Sequence, residues 1–218
     1  MHQPIIKYVI WDWNGTLIDD AWLFVELMNE ELNARNLPQI TVDDYRHYFT
    51  FPVKKYYEVL GFDFQKEDFK EVGYQFIQKF KKRKFEANLF EHSTDILDFT
   101  KKLNIKQSIV SAQENNLLNQ TVKHYQIQHY FETISGISHY YADNKIKLAK
   151  SVRKKIPYDN HEIMLIGDSV HDFEVAESLG VKCILFSKGH YSKKRLLRCN
   201  CQIIDNHSEL KKIYFSRI

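Results

Sequence analysis

Asp12 and Asn14 stand two residues apart in Asp12-Trp13-Asn14-Gly15-Thr16, directly behind the apolar run Tyr8-Val9-Ile10-Trp11. If the chain is still extended there, both side chains point to one side, which sets a carboxylate beside a carboxamide. A second apolar run, Ile163-Met164-Leu165-Ile166, ends at Gly167-Asp168-Ser169, and Asp172 follows one helical turn later. Ser111 closes a third run, and Lys145 opens a helix between Ser111 and Asp168. Asp12 and Asp168 suit a hard divalent cation, because Mg²⁺ takes one or two carboxylates and accepts phosphate oxygens from a substrate. A lysine and a hydroxyl complete a phosphate cradle: the lysine offsets phosphoryl charge, and Ser111 with nearby backbone N–H groups donates hydrogen bonds. An aspartate in that setting can attack phosphorus and form an aspartyl-phosphate. The chemistry indicated is phosphoryl transfer.

Residues so far apart in sequence form one site only if a sheet gathers them. Strand ends on one edge of an open parallel sheet converge, and ligands bind there. The first strand starts at Ile5, with only Lys7 interrupting it, and delivers Asp12 to its end. From His92 helices and strands alternate. Helices are expected over 94–103, 115–125, 145–155 and 173–179, the last closed by Gly180, with a terminal one over 208–214. Strands are expected over 106–110, 130–134, 161–166, 181–186 and 202–204. This alternation predicts an α/β fold, a doubly wound parallel sheet with right-handed crossovers. Between Asp19 and Asn88 the pattern is helical throughout. Asp19-Asp20 offers N-cap chemistry for the first helix, Thr41 caps a second, Val53–Leu60 forms a third, and a fourth runs from about Gln65 to Lys84. The expected organisation is a core of residues 1–18 and 89–218 with an inserted helical domain, 19–88, that acts as a lid.

Composition narrows the function further. The chain has 218 residues, 44% hydrophobic and 27% charged, which describes an ordinary globular protein with one sizeable core or a core plus an insertion. A net charge of +3, spread over short clusters such as Lys79–Lys84, does not indicate nucleic acid. Cys183, Cys199 and Cys201 form neither a disulfide framework nor a metal-ligand pattern, and fit a reducing cytoplasm. No signal-peptide pattern and no bilayer-length apolar run is present. A cytoplasmic monomer or homodimer acting on a small phosphorylated metabolite, away from membranes, is expected.

The four ordered segments Asp12-Trp13-Asn14-Gly15-Thr16, Val110-Ser111-Ala112, Lys145 before its helix and Gly167-Asp168-Ser169-Val170-His171-Asp172 resemble the motifs of the haloacid dehalogenase superfamily. The helical block resembles the type-1 cap of its phosphoglycolate-phosphatase-like branch. The likeness spans essentially the whole chain. Lys145 is preferred to Lys147 and Lys150 because Tyr141-Ala142-Asp143-Asn144-Lys145 resembles the family's loop. The resemblance implies that Asp12 is the nucleophile and a Mg²⁺ ligand. It also implies that the carbonyl of Asn14 and the carboxylate of Asp168 bind the metal, with Asp172 supporting it directly or through water. Thr16 would orient the first motif, and Ser111, the Ala112 backbone and Lys145 would hold the phosphoryl group. Arg46, Lys54 and Lys55 are candidates for gripping the rest of the substrate, Arg46 through a bidentate contact to a carboxylate or second phosphate.

Position 14 departs from the phosphatase pattern, which carries a second aspartate there as general acid and base. Asn14 can donate a hydrogen bond but cannot transfer a proton at neutral pH. Losing a positioned acid-base costs about 10²- to 10⁴-fold in rate. Three readings stay open. In the first, the substrate has a good leaving group or the proton comes from His171, Asp19, Asp20 or the substrate itself; in the second, the chemistry is C–P cleavage, as in phosphonate-cleaving relatives; in the third, the protein binds phosphate and regulates without turnover. A response-regulator receiver would be shorter and show paired acids after its first strand. A dinucleotide enzyme would need Gly-x-Gly-x-x-Gly, which is missing.

Overall fold

The computed structural model describes residues 6–138 and 145–214. Six parallel strands form one sheet in the order β5-β4-β1-β6-β7-β8. They are β1 (Tyr8–Trp11), β4 (Lys106–Glu114), β5 (Thr133–Ile137), β6 (Ile163–Gly167), β7 (Lys182–Phe186) and β8 (Gln202–Ile204). β1 lies near the centre, paired with β4 on one side and β6 on the other. Its four residues are all buried and alternate between two cores. Val9 and Trp11 pack with α5 (Ser93–Lys102), α6 (Asn115–His124) and the terminal α10 (Leu210–Ile213). Tyr8 and Ile10 pack with α7 (Lys145–Arg153) and α8 (Val170–Leu179). A strand covered on both faces has no solvent side to satisfy, so it reads as a continuous apolar run, and each large side chain fully buried contributes about 1.5–3 kcal/mol.

The chain leaves this core through β2 (Ile18–Asp19) and returns through β3 (Asn88–Leu89), which pair antiparallel. Between them lie α1 (Ala21–Asn33), α2 (Val42–Tyr48), α3 (Val53–Val59) and α4 (Phe69–Arg83). These helices share a separate aromatic core that includes Leu27, Tyr45, Tyr56, Phe76 and Phe80, joined by Leu117 of α6. Thr41 caps α2 through a capping box with Asp44. The short α9 (Lys193–Leu196) follows β7. All three cysteines are free. Among the described residues no helix is long and apolar enough to cross a membrane.

Several boundaries differ from the sequence expectation. β4 continues through Ser111 to Glu114, with an irregular register after Val110, so Ser111 lies within a strand. β5 starts at Thr133 because Gln128–Tyr130 coil into a 3₁₀ turn, and β6 starts at Ile163 for the same reason at Asn160–Glu162. α4 begins only at Phe69, where Asp68 caps it, and α8 begins at Val170, capped by Ser169. Asp20 holds the N-cap position of α1 but makes no capping bond. Its carboxylate points elsewhere. Ile5 and the segment 141–144 lie outside the described residues.

Candidate active site

Asp12, Asn14, Ser111, Lys145, Asp168 and Asp172 line one cavity of about 660 Å³ between the sheet's strand ends and the inserted helices. Their placement follows from the fold. Asp12 leaves β1 with its N–H still bonded to the Ile166 carbonyl of β6 (2.8 Å), which sets the two motif aspartates side by side. Thr16, fully buried, donates toward Asp168 (3.2 Å) and lies 3.4 Å from Asp12. Lys145, at the start of α7, reaches across to Asp12 and Asp172, 2.5 Å from each. Asp172 belongs to the Ser169 capping box of α8: its Oδ2 accepts from the N–H groups of Asp168 (3.2 Å) and Ser169 (3.0 Å) and from the Ser169 hydroxyl (2.6 Å). Ser111 Oγ accepts from the Gln113 N–H (3.0 Å), which leaves its own O–H to donate.

One carboxylate oxygen from each of Asp12, Asp168 and Asp172 falls within 4.8 Å of the others, and all three residues are buried. Burial pushes the Asp12 carboxyl up to about 6; Lys145 pulls against this and Asp172 adds to it. Burial likewise pushes Asp168 up to about 8, opposed by His190 and reinforced by Asp172 and Asp12. Asp172 also resists burial, yet Lys145 and the Ser169 hydroxyl hold it below the ordinary carboxylate range. Burial works against the Lys145 ammonium, but its two acidic partners raise it. Three clustered carboxylates facing one lysine leave excess negative charge, which a hard divalent cation would neutralise. The donor set fits such an ion.

Asn14 is held by a group that its motif does not announce. Its Nδ2 donates to Asp20 Oδ2 (2.5 Å), and Asp20 Oδ1 accepts from the Gly15 N–H (3.0 Å) and pairs with His190 Nε2 (2.9 Å). His190 in turn meets the Tyr45 hydroxyl through Nδ1 (2.5 Å), and its backbone N–H donates to Asp168 (2.6 Å). Burial disfavours the imidazolium, but Asp20, together with Asp168 and Asp12, raises His190. The carboxamide at position 14 thus ends a buried chain that runs Tyr45, His190, Asp20. Gly15 is required by the same crowding: its φ is +73°, and a Cβ there would lie 2.1 Å from the His190 ring.

Two expectations are corrected here. Arg46 does not line the cavity; its guanidinium donates to the carbonyls of Gly189 (2.8 Å) and Lys188 (2.6 Å), so it secures the loop that carries His190. Of its two companions, Lys54 lines the cavity and Lys55 does not. His171 lines the cavity too, half-buried, with Nδ1 3.1 Å from Glu174. Sequence reasoning missed His190, read Tyr45 only as part of a surface of the inserted block turned toward the site, and read Asp20 as a cap or a proton source, not as the partner of Asn14. His190 follows β7 on the edge that carries Asp12 and Asp168, and Gly189-His190 behind an apolar strand was the available signal.

The model of the haloacid dehalogenase-like hydrolases matches residues 9–186. No curated protein matches the chain. Among solved structures, a haloacid dehalogenase-like family hydrolase from Streptococcus pneumoniae superposes with a TM-score of 0.83 at 19% identity, covering 97% of this chain and 99% of that one. A protein described as a predicted phosphoglycolate phosphatase from Haemophilus somnus gives 0.80 at 17% identity, with 97% and 99% covered. Protein Tyrosine Kinase A from Mycobacterium tuberculosis gives 0.81 at 19% identity, with 99% and 100% covered. At such identities these structures share the fold, and their differently named activities show that the fold does not by itself choose a reaction. The family match over most of the length is of another kind: the chain belongs to the haloacid dehalogenase-like hydrolases.

Proposed function

We propose that the protein is a Mg²⁺-dependent phosphatase that hydrolyses a phosphate monoester through an aspartyl-phosphate on Asp12. The observation that carries this reading is the setting of Asp12: buried at a strand end, one oxygen on Lys145, the other near Thr16, and facing a cavity large enough for a ligand. Asp12, Asp168 and the Asn14 carbonyl would hold the metal. Asp172, whose oxygens also serve Lys145 and the Ser169 turn, would support it directly or through water. Bound Mg²⁺ would neutralise charge on the phosphoryl oxygens and polarise them.

Asp12 attacks phosphorus, the bond from phosphorus to the leaving oxygen breaks, and that oxygen takes the electron pair. Water then attacks the aspartyl-phosphate and restores the carboxylate, giving its proton to the departing phosphate. Lys145 and the Ser111 hydroxyl stabilise the phosphoryl charge throughout. Thr16 keeps Asp12 aligned, and the chain from Tyr45 to Asp20 fixes the Asn14 amide as a hydrogen-bond donor. Residues 19–88 act as a cap over the core formed by 1–18 and 89–218.

The test is hydrolysis of acetyl phosphate and p-nitrophenyl phosphate with Mg²⁺, with EDTA, and with Asp12→Ala. Turnover that needs both the metal and Asp12 is expected, and rates equal to those of Asp12→Ala on both substrates would overturn the phosphatase reading. Asn14 favours one competing reading, a phosphate-binding regulator without turnover; phosphate binding combined with no hydrolysis would select it.

A further inference from the structure

The cavity that starts at Asp12 extends beneath the inserted helices, and there its walls change character. They are built largely from rings, including Phe24, Phe51, Tyr56, Phe69, Tyr74 and Phe76. Among the described residues its basic linings besides Lys145 are Lys54 and Lys70, both on solvent-exposed positions of the inserted block, and two imidazoles, His171 beside Glu174 and His190 paired with Asp20; no arginine lines it. Arg46, the group best suited to a second anionic substituent, is committed to the carbonyls of residues 188 and 189. A small, doubly anionic ester would therefore leave most of the cavity unfilled and its second charge without a bidentate partner.

A volume of about 660 Å³ is that of a pocket for a multi-ring molecule. Three groups without partners interrupt the apolar wall. The Tyr56 hydroxyl, the Gln113 carboxamide and His171 Nε2, all on residues that line the cavity, have no hydrogen-bond partner among the described residues. Buried polar atoms without partners are costly, and a ligand with one or two hydrogen-bonding groups on an aromatic frame would satisfy them.

The second strand of evidence is Asn14. Its amide is engaged by Asp20 and carries no proton for a leaving oxygen. An alkoxide, a base about as strong as hydroxide, needs such a proton. A phenolate, whose conjugate acid ionises near pH 10, leaves without one. The wall and the missing acid point to the same kind of ester.

We infer that the substrate is an aryl phosphate, the phosphate monoester of a bulky, largely uncharged phenol whose rings fill the cavity beneath the helical block. This rests on the phosphatase reading above. Asp12 forms the bond to phosphorus, the aryl oxygen departs with the electron pair and is protonated by solvent, and water completes the cycle as described.

The experiment compares 1-naphthyl phosphate with 2-phosphoglycolate and glycerol 3-phosphate, with acetyl phosphate as a substrate too small to reach the rings. At least tenfold higher kcat/KM for 1-naphthyl phosphate than for the two alkyl esters is expected; equal or reversed preference overturns the inference. Phe69→Ala and, at a more exposed part of the wall, Tyr74→Ala should each lower the naphthyl-to-acetyl rate ratio at least fivefold. A ratio unchanged in both folded variants would count against the cavity as the binding site. Calorimetric binding to Asp12→Asn separates the two levels of the argument. If no ester is turned over, the phosphatase reading fails, and the ligand class is decided by affinity alone: tenfold tighter binding of 1-naphthyl phosphate than of 2-phosphoglycolate supports it, and equal or weaker binding overturns it.

Discussion

Asn14 and Asp20 explain each other. With a carboxylate oxygen 2.5 Å away, position 14 is occupied by a donor, and an aspartate there would set two buried carboxylates in contact. Like charges at that distance force one group to keep a proton or the pair to separate. Asn14→Asp alone should therefore lose stability and gain little activity toward alkyl phosphates. The double change Asn14→Asp with Asp20→Asn reverses the polarity of the hydrogen bond and should hydrolyse alkyl esters at least tenfold faster than Asn14→Asp. Steady-state rates on glycerol 3-phosphate for both variants decide it; a single variant as active as the double one would show that Asp20 does not set the residue at position 14. Asp12 and Asp168 were legible in the sequence because each sits at the end of a buried strand, and burial of both faces makes such strands conspicuous as apolar runs. The chain that links Asp20, His190 and Tyr45 was not legible. Asp beside a helix start is ordinary capping chemistry, and a histidine in a loop with a tyrosine on a helix carries no spacing that links them. Only the packing of the inserted helices on the strand ends brings the three together.

At the scale of elements, the capping box of α8 does two jobs. Ser169 accepts from the Asp172 N–H in the first turn, and the acid the box requires at the third position, Asp172, is also an acceptor for Lys145. Ser169→Ala removes the hydroxyl that donates to Asp172 and accepts from its N–H (3.2 Å). A loss of about 1 kcal/mol in stability is expected from the cap alone. Because Lys145 would lose a fixed partner, kcat should also fall several-fold, measurable beside urea unfolding of the same protein. Lost stability with unchanged kcat would confine the box to a structural role. Helix and strand types were readable from periodicity over most of the chain, whereas their ends were not. β4 runs past Ser111 to Glu114, and β5 starts three residues later than its Tyr-Phe composition suggested, because ends are settled by pairing with a neighbour rather than by local preference.

For the whole molecule, pH enters through a histidine packed behind the first motif, against the backbone of Thr16. His207 is fully buried, its ring stacked 4.3 Å from that of Phe186, and burial lowers it from 6.5 to about 4. Between those two values the unfolded chain binds a proton that the folded chain does not, so stability rises with pH across the window and is lost as pH falls through it. The stake is about 3 kcal/mol. Asp168, raised in the fold, acts with the opposite sign, so the comparison must be between proteins that share it. The difference in unfolding free energy between pH 7 and pH 4.5 should shrink in His207→Gln by most of that amount, and an identical slope in both proteins would place the sensitivity elsewhere.

The two short strands at the base of the inserted helices have a consequence of their own. Because Ile18 pairs with Leu89 and Asp19 with Asn88, the chain departs and re-enters at one seam, and everything between is topologically a single long loop. Closing such a loop costs only slightly more entropy as it grows, about 0.6 kcal/mol for each doubling of its length. The sheet and its strand-end acids are therefore nearly indifferent to how many residues are threaded through the seam. The ring-lined wall can be enlarged, shortened or exchanged for another without disturbing the register of β1 with its neighbours. What the seam does constrain is Asp20, the first residue beyond it, whose carboxylate must return to Asn14 and His190 whatever the loop contains.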